Sequence, residues 1–324
     1  MPYTLLVTAP TLADAGLELL RNQGCRVLFV GAGQGPADIE RIMASEPIDA
    51  VISRTLDLTA TAIDLCPTLK VISKHGVGVS NIAVAAATTR RIPVYVTPGA
   101  NAQSVTEMTL ALMFAAARRV SWMDAEIRQG RWSRAQDGLE LSGRSIGLVG
   151  FGQVARRVSA ACQAIGMRVA VFDPLLAVDA SLDGAERVAD LPSLLAGSQV
   201  LSLHVPLTAQ TRNLIKAEQL ALLPRGALLI NTARGEVVDE AALVQALASG
   251  QLFAAGLDTM AIEPLPADSP LRGLDNLVLT PHVGGSTPAA LAAMAAGAAR
   301  NVLGFLQGQP PAIGACVNPQ VFDH

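Results

Sequence analysis

A chain of 324 residues exceeds the length at which a single hydrophobic core usually stops growing, so two domains are expected. Hydrophobic residues make up 51% and charged residues 16%, which excludes a disordered or collagen-like chain. A net charge of -3, with two Trp and two Tyr, gives neither a basic field nor stacking platforms for nucleic acid, and that partner is excluded.

The opening stretch through Val7 has no basic region or small-residue cleavage site, so it reads as a first strand and not as a signal peptide. Buried-strand patterns at Thr4–Thr8, Arg26–Val30, Ala50–Arg54, Val71–Lys74 and Val94–Thr97 alternate with amphipathic stretches at Leu12–Arg21, Pro36–Ala44, Thr59–Leu65 and Ile82–Thr89. This alternation predicts βαβ units around a parallel sheet. Ser104–Arg118 is Ala-rich and apolar around most of its circumference, as expected of a buried helix crossing between domains. A second series of strands follows at Ser145–Val149, Arg168–Phe172, Val200–Val205, Ala227–Thr232, Leu252–Leu257 and Leu277–Thr280, a six-strand count of Rossmann type. Pro288–Leu306 repeats the pattern of a buried crossing helix, and its apolar run Leu291–Ala299 falls short of the ~20 residues of a membrane span. Gln309–His324, with Pro310, Pro311 and Pro319, is expected to pack back on the N-terminal part, which makes the first domain discontinuous.

Cys25, Cys66, Cys162 and Cys316 are widely spaced and form no C-x-x-C pair, so they read as buried thiols in a reducing, cytoplasmic compartment. His75, His204, His282 and His324 show no H-x-x-x-H spacing and no Cys partner, so no metal is expected. His204 reads as a packed or cofactor-proximal residue at a strand end.

Gly150-Phe151-Gly152-Gln153-Val154-Ala155 is a G-x-G-x-x-A element between the strand Ser145–Val149 and a predicted helix. Such a strand–turn–helix brings backbone N–H groups and a positive helix end to a pyrophosphate: Gly150 makes the tight turn, Gly152 allows close approach, and Ala155 keeps the helix against the strand. The next strand ends in Asp173, near the position of the acid that binds an adenosine ribose diol. An acid there repels a 2′-phosphate, which predicts NAD over NADP.

Arg234, Glu263 and His282 follow later strands, at the sheet edge where open α/β folds gather ligands. A guanidinium can clamp a carboxylate through two parallel hydrogen bonds, and an imidazole can exchange a proton near neutral pH as a ketone is reduced. A carboxylate such as Glu263 would fix the tautomer of that imidazole. Spacing alone leaves open a surface ion pair for the Arg and a packed, satisfied ring for the His.

Six ordered stretches covering nearly the whole chain resemble the D-isomer-specific 2-hydroxyacid dehydrogenase family. They are Lys74–Ile82, Pro98–Asn101, the glycine fingerprint, Asn231–Asp239, Asp258 through Pro266, and Thr280–Gly285. The resemblance implies two Rossmann-like parallel-sheet domains in an α/β fold: a flavodoxin-like substrate domain over 1–100 and 287–324, and an NAD-binding domain over 101–286. It implies an oxidoreductase moving a hydride between NAD(H) and C2 of a small 2-hydroxy or 2-keto acid, similar to phosphoglycerate dehydrogenases and hydroxypyruvate reductases without a regulatory domain. Arg234 would bind the substrate, His282 would be the acid/base and Glu263 its partner. Beyond Gly150 and Gly152, NAD contacts would fall on Gln153 and Val154, on Asp173, on Pro206 and Thr211, on Thr232 and Ala233, on Asp258, and on Gly284 and Gly285.

The backbone of Val77 and Gly78 would bind the substrate carboxylate, as suits a Gly-flanked anion nest. Arg54 and His75 are candidates for a distal anionic or hydroxyl group of a hydroxypyruvate-like or phosphoglycerate-like acid; an exposed structural role is the equal reading of Arg54. Hinges are expected near 99–101 and 284–286. Val120–Arg134, with Trp122 and Trp132, resembles a subunit-contact arm, and a homodimer is expected. Ser80 stands where the family commonly has Asp, and Met108 where His or an aromatic is frequent. Two alternatives stay open: an NADH-sensing, non-catalytic binding protein of corepressor type, and a phosphite- or formate-type dehydrogenase, the formate version using an amide in place of Glu263.

Overall fold

The computed structural model describes residues 3–134 and 137–323, so His324 lies outside it. The chain forms two compact units, Met1–Asn101 with Ser286–His324, and Ala102–Gly285.

Unit 1 runs β1 (Thr4–Val7), α1 (Asp14–Asn22), β2 (Arg26–Phe29), α2 (Pro36–Ser45), β3 (Ala50–Ser53), α3 (Ala60–Asp64), β4 (Val71–Lys74), α4 (Val84–Thr89) and β5 (Val94–Tyr95). Its strands pair in parallel in the order β2-β1-β3-β4-β5, the flavodoxin-like order. β1, β3 and β4 are buried along their whole length, which is why their apolar residues (Leu5–Val7, Ala50–Ile52, Val71–Ile72) are consecutive and do not alternate with polar ones. β5 is shorter than its pattern suggests and lies at the sheet edge, where the outward N–H of Val96 bonds the carbonyl of Ala315 at 2.9 Å. The C-terminal segment thereby pairs beside β5, with Asn318 Oδ1 accepting Val94 N–H at 2.8 Å.

Unit 2 runs α5 (Ala102–Arg118), α6 (Val120–Arg128), β6 (Ser145–Val149), α7 (Gln153–Ala164), β7 (Arg168–Phe172), β8 (Glu186–Arg187), α8 (Leu191–Gly197), β9 (Val200–Leu203), α9 (Ala217–Leu222), β10 (Ala227–Asn231), α10 (Glu240–Ala248), β11 (Leu252–Leu257) and β12 (Leu277–Leu279). The parallel sheet order β12-β11-β10-β9-β6-β7-β8 is the Rossmann order with one added strand. The six-strand expectation is therefore corrected to seven. β8 has two exposed residues, paired with Ala170 and Val171, and carries no apolar signal.

Each of the two Ala-rich helices is assigned to one unit and begins just past a unit boundary. α5 covers β10 and β11, with Leu112 against Gly256, where an added Cβ would lie 2.9 Å from the Leu112 Cβ. The other, α11 (Pro288–Leu306), belongs to unit 1 and starts on a Thr287 cap that accepts Ala290 N–H at 3.3 Å, with Pro288 in its first turn. Its 19 residues, with a mean hydropathy of 1.4 over an 18-residue window, have the length and composition of a membrane span, as the core helix of a folded domain can also have. The buried Ala295, Ala298, Ala299 and Val302 instead join the core over α1 and the sheet.

Candidate active site

In unit 2 the cofactor fingerprint begins where β6 meets α7. Gly150 has φ +89°, and a Cβ there would meet the carbonyl oxygen of His204 at 2.7 Å, so only glycine fits. Gly152 caps α7 without a side-chain hydrogen bond, and a Cβ added to it would point into open space. The N–H groups of Gly152, Gln153 and Val154 have no acceptor among the described residues. Uncapped amides, open space and a twelve-residue helix behind them fit a diphosphate.

Asp173, just past β7, accepts Phe151 N–H at 2.8 Å and Leu175 N–H at 3.0 Å, one on each carboxylate oxygen. Each oxygen keeps lone-pair capacity for a ribose diol. The residues present therefore fit a dinucleotide. Past β9, Thr211 Oγ1 donates to Pro206 O at 2.6 Å and accepts Thr208 N–H at 2.8 Å, so both candidate contacts belong to one closed turn. His204 pairs its ring with Ser202 Oγ at 2.9 Å, and burial pushes its pKa down to about 4, so the ring is neutral at pH 7. Among the described residues no His, Cys, Asp and Glu group is arranged to hold a metal ion.

The catalytic candidates come from the ends of β10, β11 and β12. After β10, Asn231 closes a turn by accepting Ala233 N–H at 3.0 Å and donating to Arg234 O at 2.9 Å. Thr232 is anchored from α5 by a 2.8 Å hydroxyl contact to Thr109. Arg234, half-buried, donates to Ala233 O at 2.6 Å. The next residue, Gly235, lies so close to the loop after β11 that a Cβ would be 1.9 Å from Met260 C. That contact brings the Arg234 turn against the loop carrying Glu263. Glu263 Oε1 accepts Met260 N–H at 2.9 Å, and Oε2 accepts from His282 Nδ1 at 2.8 Å. With Nδ1 donating to that carboxylate, Nε2 is the ring nitrogen left available for proton exchange. The ring is exposed at its rim, with 43% of the side chain accessible.

Asp258, assigned from sequence to the cofactor, is 2% exposed and accepts three groups from the His282 turn. These are Thr280 Oγ1 at 2.7 Å, Val283 N–H at 2.9 Å and Gly284 N–H at 2.8 Å. Its structural part was not legible beforehand, since β11 and the turn are remote in sequence. Gly285 is the final residue of unit 2.

In unit 1 the N–H groups of Val77 and Gly78 meet no acceptor among the described residues, as an anion nest requires. Arg54 is half-buried and donates to Thr11 O at 3.0 Å. His75 is 8% exposed; burial first, then the Arg54 charge, pushes its pKa down to about 4. Its ring at pH 7 is a neutral hydrogen-bonding group and not a cation. Lys74, Arg54 and Asn81 are knitted together, the Lys74 amine donating to Arg54 O and Asn81 Oδ1.

Residues 110–284 match the family model of the D-isomer specific 2-hydroxyacid dehydrogenase NAD-binding domain, more than half of the chain. The chain belongs to that family. It is 37% identical to the glyoxylate reductase of Thermofilum pendens, over 95% of this chain and 92% of that protein. It is 35% identical to the D-3-phosphoglycerate dehydrogenase of Archaeoglobus fulgidus over 94% of its length, and spans 58% of the length of that relative. The solved structure of the TT0316 protein from Thermus thermophilus superposes with a TM-score of 0.86 at 37% identity, covering 97% of this chain and 99% of the other. Unit 2 accordingly carries the family's NAD-binding domain, and the glycine turn with the uncapped α7 N-terminus is the part of it whose geometry fits a dinucleotide.

Proposed function

We propose that this dehydrogenase-family chain is an NAD(H)-dependent oxidoreductase acting at C2 of a small D-2-hydroxy or 2-keto acid of hydroxypyruvate-like or phosphoglycerate-like form. The relatives named as glyoxylate reductase and D-3-phosphoglycerate dehydrogenase support that substrate class. The observation that carries the reading is the 2.8 Å bond from His282 Nδ1 to Glu263 Oε2, which leaves Nε2 to hand a proton to the substrate oxygen. Bound NADH supplies the hydride. Arg234 binds and orients the carboxylate and polarises the carbonyl, with Val77 and Gly78 amides, Arg54 and neutral His75 completing recognition of the acid. Asp173 favours NAD over NADP because a second negative charge beside its carboxylate is repelled.

The same reading takes the protein to be cytoplasmic, supported by four free cysteines, and homodimeric. Support for the dimer is Trp132, 80% exposed between Arg131 and Ser133, both of which donate to Glu126. An aromatic held out between two residues so tethered suits an intersubunit anchor.

Purified protein should oxidise NADH with a panel of 2-keto acids, and His282→Ala should cut turnover by roughly 10²–10⁴-fold while NADH affinity holds. Binding of NADH without turnover of any acid would instead identify a cofactor-sensing protein.

A further inference from the structure

We propose that Ser104 is a positioning residue for His282, acting through the carbonyl of Gly284. The inference rests on the reading of His282 as the acid/base.

His282 sits at φ +53°, in the left-handed region, where a non-glycine residue persists only if its surroundings over-determine it. Three constraints lie on the β11–β12 side of the turn. The His282 N–H bonds Thr280 O at 3.0 Å, the Thr280 hydroxyl bonds Asp258, and Asp258 takes Val283 and Gly284 N–H. None of these fixes the far side of the Gly284 peptide. That constraint comes from another layer: the Ser104 hydroxyl, in the first turn of α5, donates to Gly284 O at 2.5 Å, and both residues are buried.

The behaviour of Ser104 within its helix supports a directed role. Helical hydroxyls commonly bond back to the carbonyl four residues earlier, as Thr106 does to Ala102 and Thr109 to Val105, each at 2.8 Å. Ser104 instead reaches out of the helix, across 180 residues of sequence, to the turn that carries the imidazole. Gly284 has no slack with which to compensate. A Cβ on it would lie 2.7 Å from Asp258 Oδ2 and 3.5 Å from the Met108 Cβ, so the peptide is gripped between Asp258 and α5. With the hydroxyl removed, the Gly284 carbonyl is left buried and unpaired, and the peptide gains freedom to rotate. The turn then relaxes toward ordinary φ, and the imidazole leaves Glu263.

The test follows the imidazole directly. In ¹⁵N-histidine-labelled protein without cofactor, the Nδ1 proton shared with Glu263 gives a downfield resonance, assigned by its loss in His282→Gln. Ser104→Ala should broaden or shift that resonance, lower kcat about tenfold to a hundredfold and displace the pH profile of kcat, with KM for the acid changed far less. Ser104→Thr, which keeps the hydroxyl, should restore the resonance and most of kcat. A Ser104→Ala protein with unchanged resonance and pH profile overturns the proposal, even if its melting temperature falls. Should that variant not fold, Ser104→Cys, a weak donor of similar size, must give an intermediate shift; an unshifted resonance there overturns the proposal equally. Turnover retained by His282→Gln would sink the acid/base reading alone, because the resonance still reports whether Ser104 holds the ring.

Discussion

Asp173 serves two ends at once, and that makes its substitution informative. Its carboxylate ties down Phe151 N–H and Leu175 N–H, and under the proposed function it binds the adenosine ribose as well. Asp173→Ala should therefore raise KM for NADH by loosening the glycine turn and, separately, shift the NADPH-to-NADH ratio of kcat/KM toward NADPH. A ratio that does not move would refute the ribose role, whatever happens to KM. Arg234→Ala should raise KM for the acid and lower kcat together, since orientation and carbonyl polarisation are lost in one step. A third residue lies beside the site without partaking in it. The Thr259 hydroxyl is buried and has no hydrogen-bond partner among the described residues. A buried unpaired hydroxyl costs about 1–3 kcal/mol, so isosteric Thr259→Val should raise unfolding free energy by ~1 kcal/mol in urea titration. A lower midpoint in the variant would mean that the hydroxyl is satisfied after all.

Packing between elements sets where these residues stand. The loop from Asp258 to Glu263 is gripped by Gly235 against Met260 and by Glu240, at the start of α10, whose Oε1 accepts Ala261 N–H at 2.6 Å. In unit 1 the corresponding close approach is Gly16 of α1 on α11, where a Cβ would lie 2.7 Å from the Ala295 carbonyl oxygen. Gly16→Ala must push the two helices apart, and should destabilise unit 1 by roughly 1–3 kcal/mol, read as a lower denaturation midpoint. Such contacts also mark the limit of what the sequence conveys. β6, β7 and β11 could be delimited in advance because each is an apolar run bounded by turn or polar residues, and α11 because Thr287-Pro288 announces its start. β8 could not, being two exposed residues that are a strand only because β7 lies beside them. Arg234, Glu263 and His282 could be picked out as ionisable groups after strands. Ser104, Gly235 and Glu240 could not, since nothing local distinguishes them from ordinary helix and turn residues, and their partners are 21 residues or more away.

Each of the two units holds one histidine ring neutral at pH 7, and this ties the stability of the whole molecule to pH in a definite window. His75 in unit 1 and His204 in unit 2 both have pKa values pushed down to about 4, burial being the first cause in each, with Arg54 and Lys74 adding repulsion at His75. The unfolded chain takes up a proton on each ring below ~6.5, whereas the folded units resist it until about 4. Between those values the unfolded state binds more protons, so stability must fall as the pH falls. Carboxylates act later. Glu126, held down to about 2 by its bonds to Arg131 and Ser133, keeps its full contribution above ~4.5 and loses it only as pH drops toward 2. A decline in urea midpoint between pH 6.5 and 5 is therefore a histidine effect. His204→Gln should flatten its share of that decline, as should His75→Gln; midpoints that stay level from pH 7 to 5 in the unaltered protein would show that neither ring is buried uncharged.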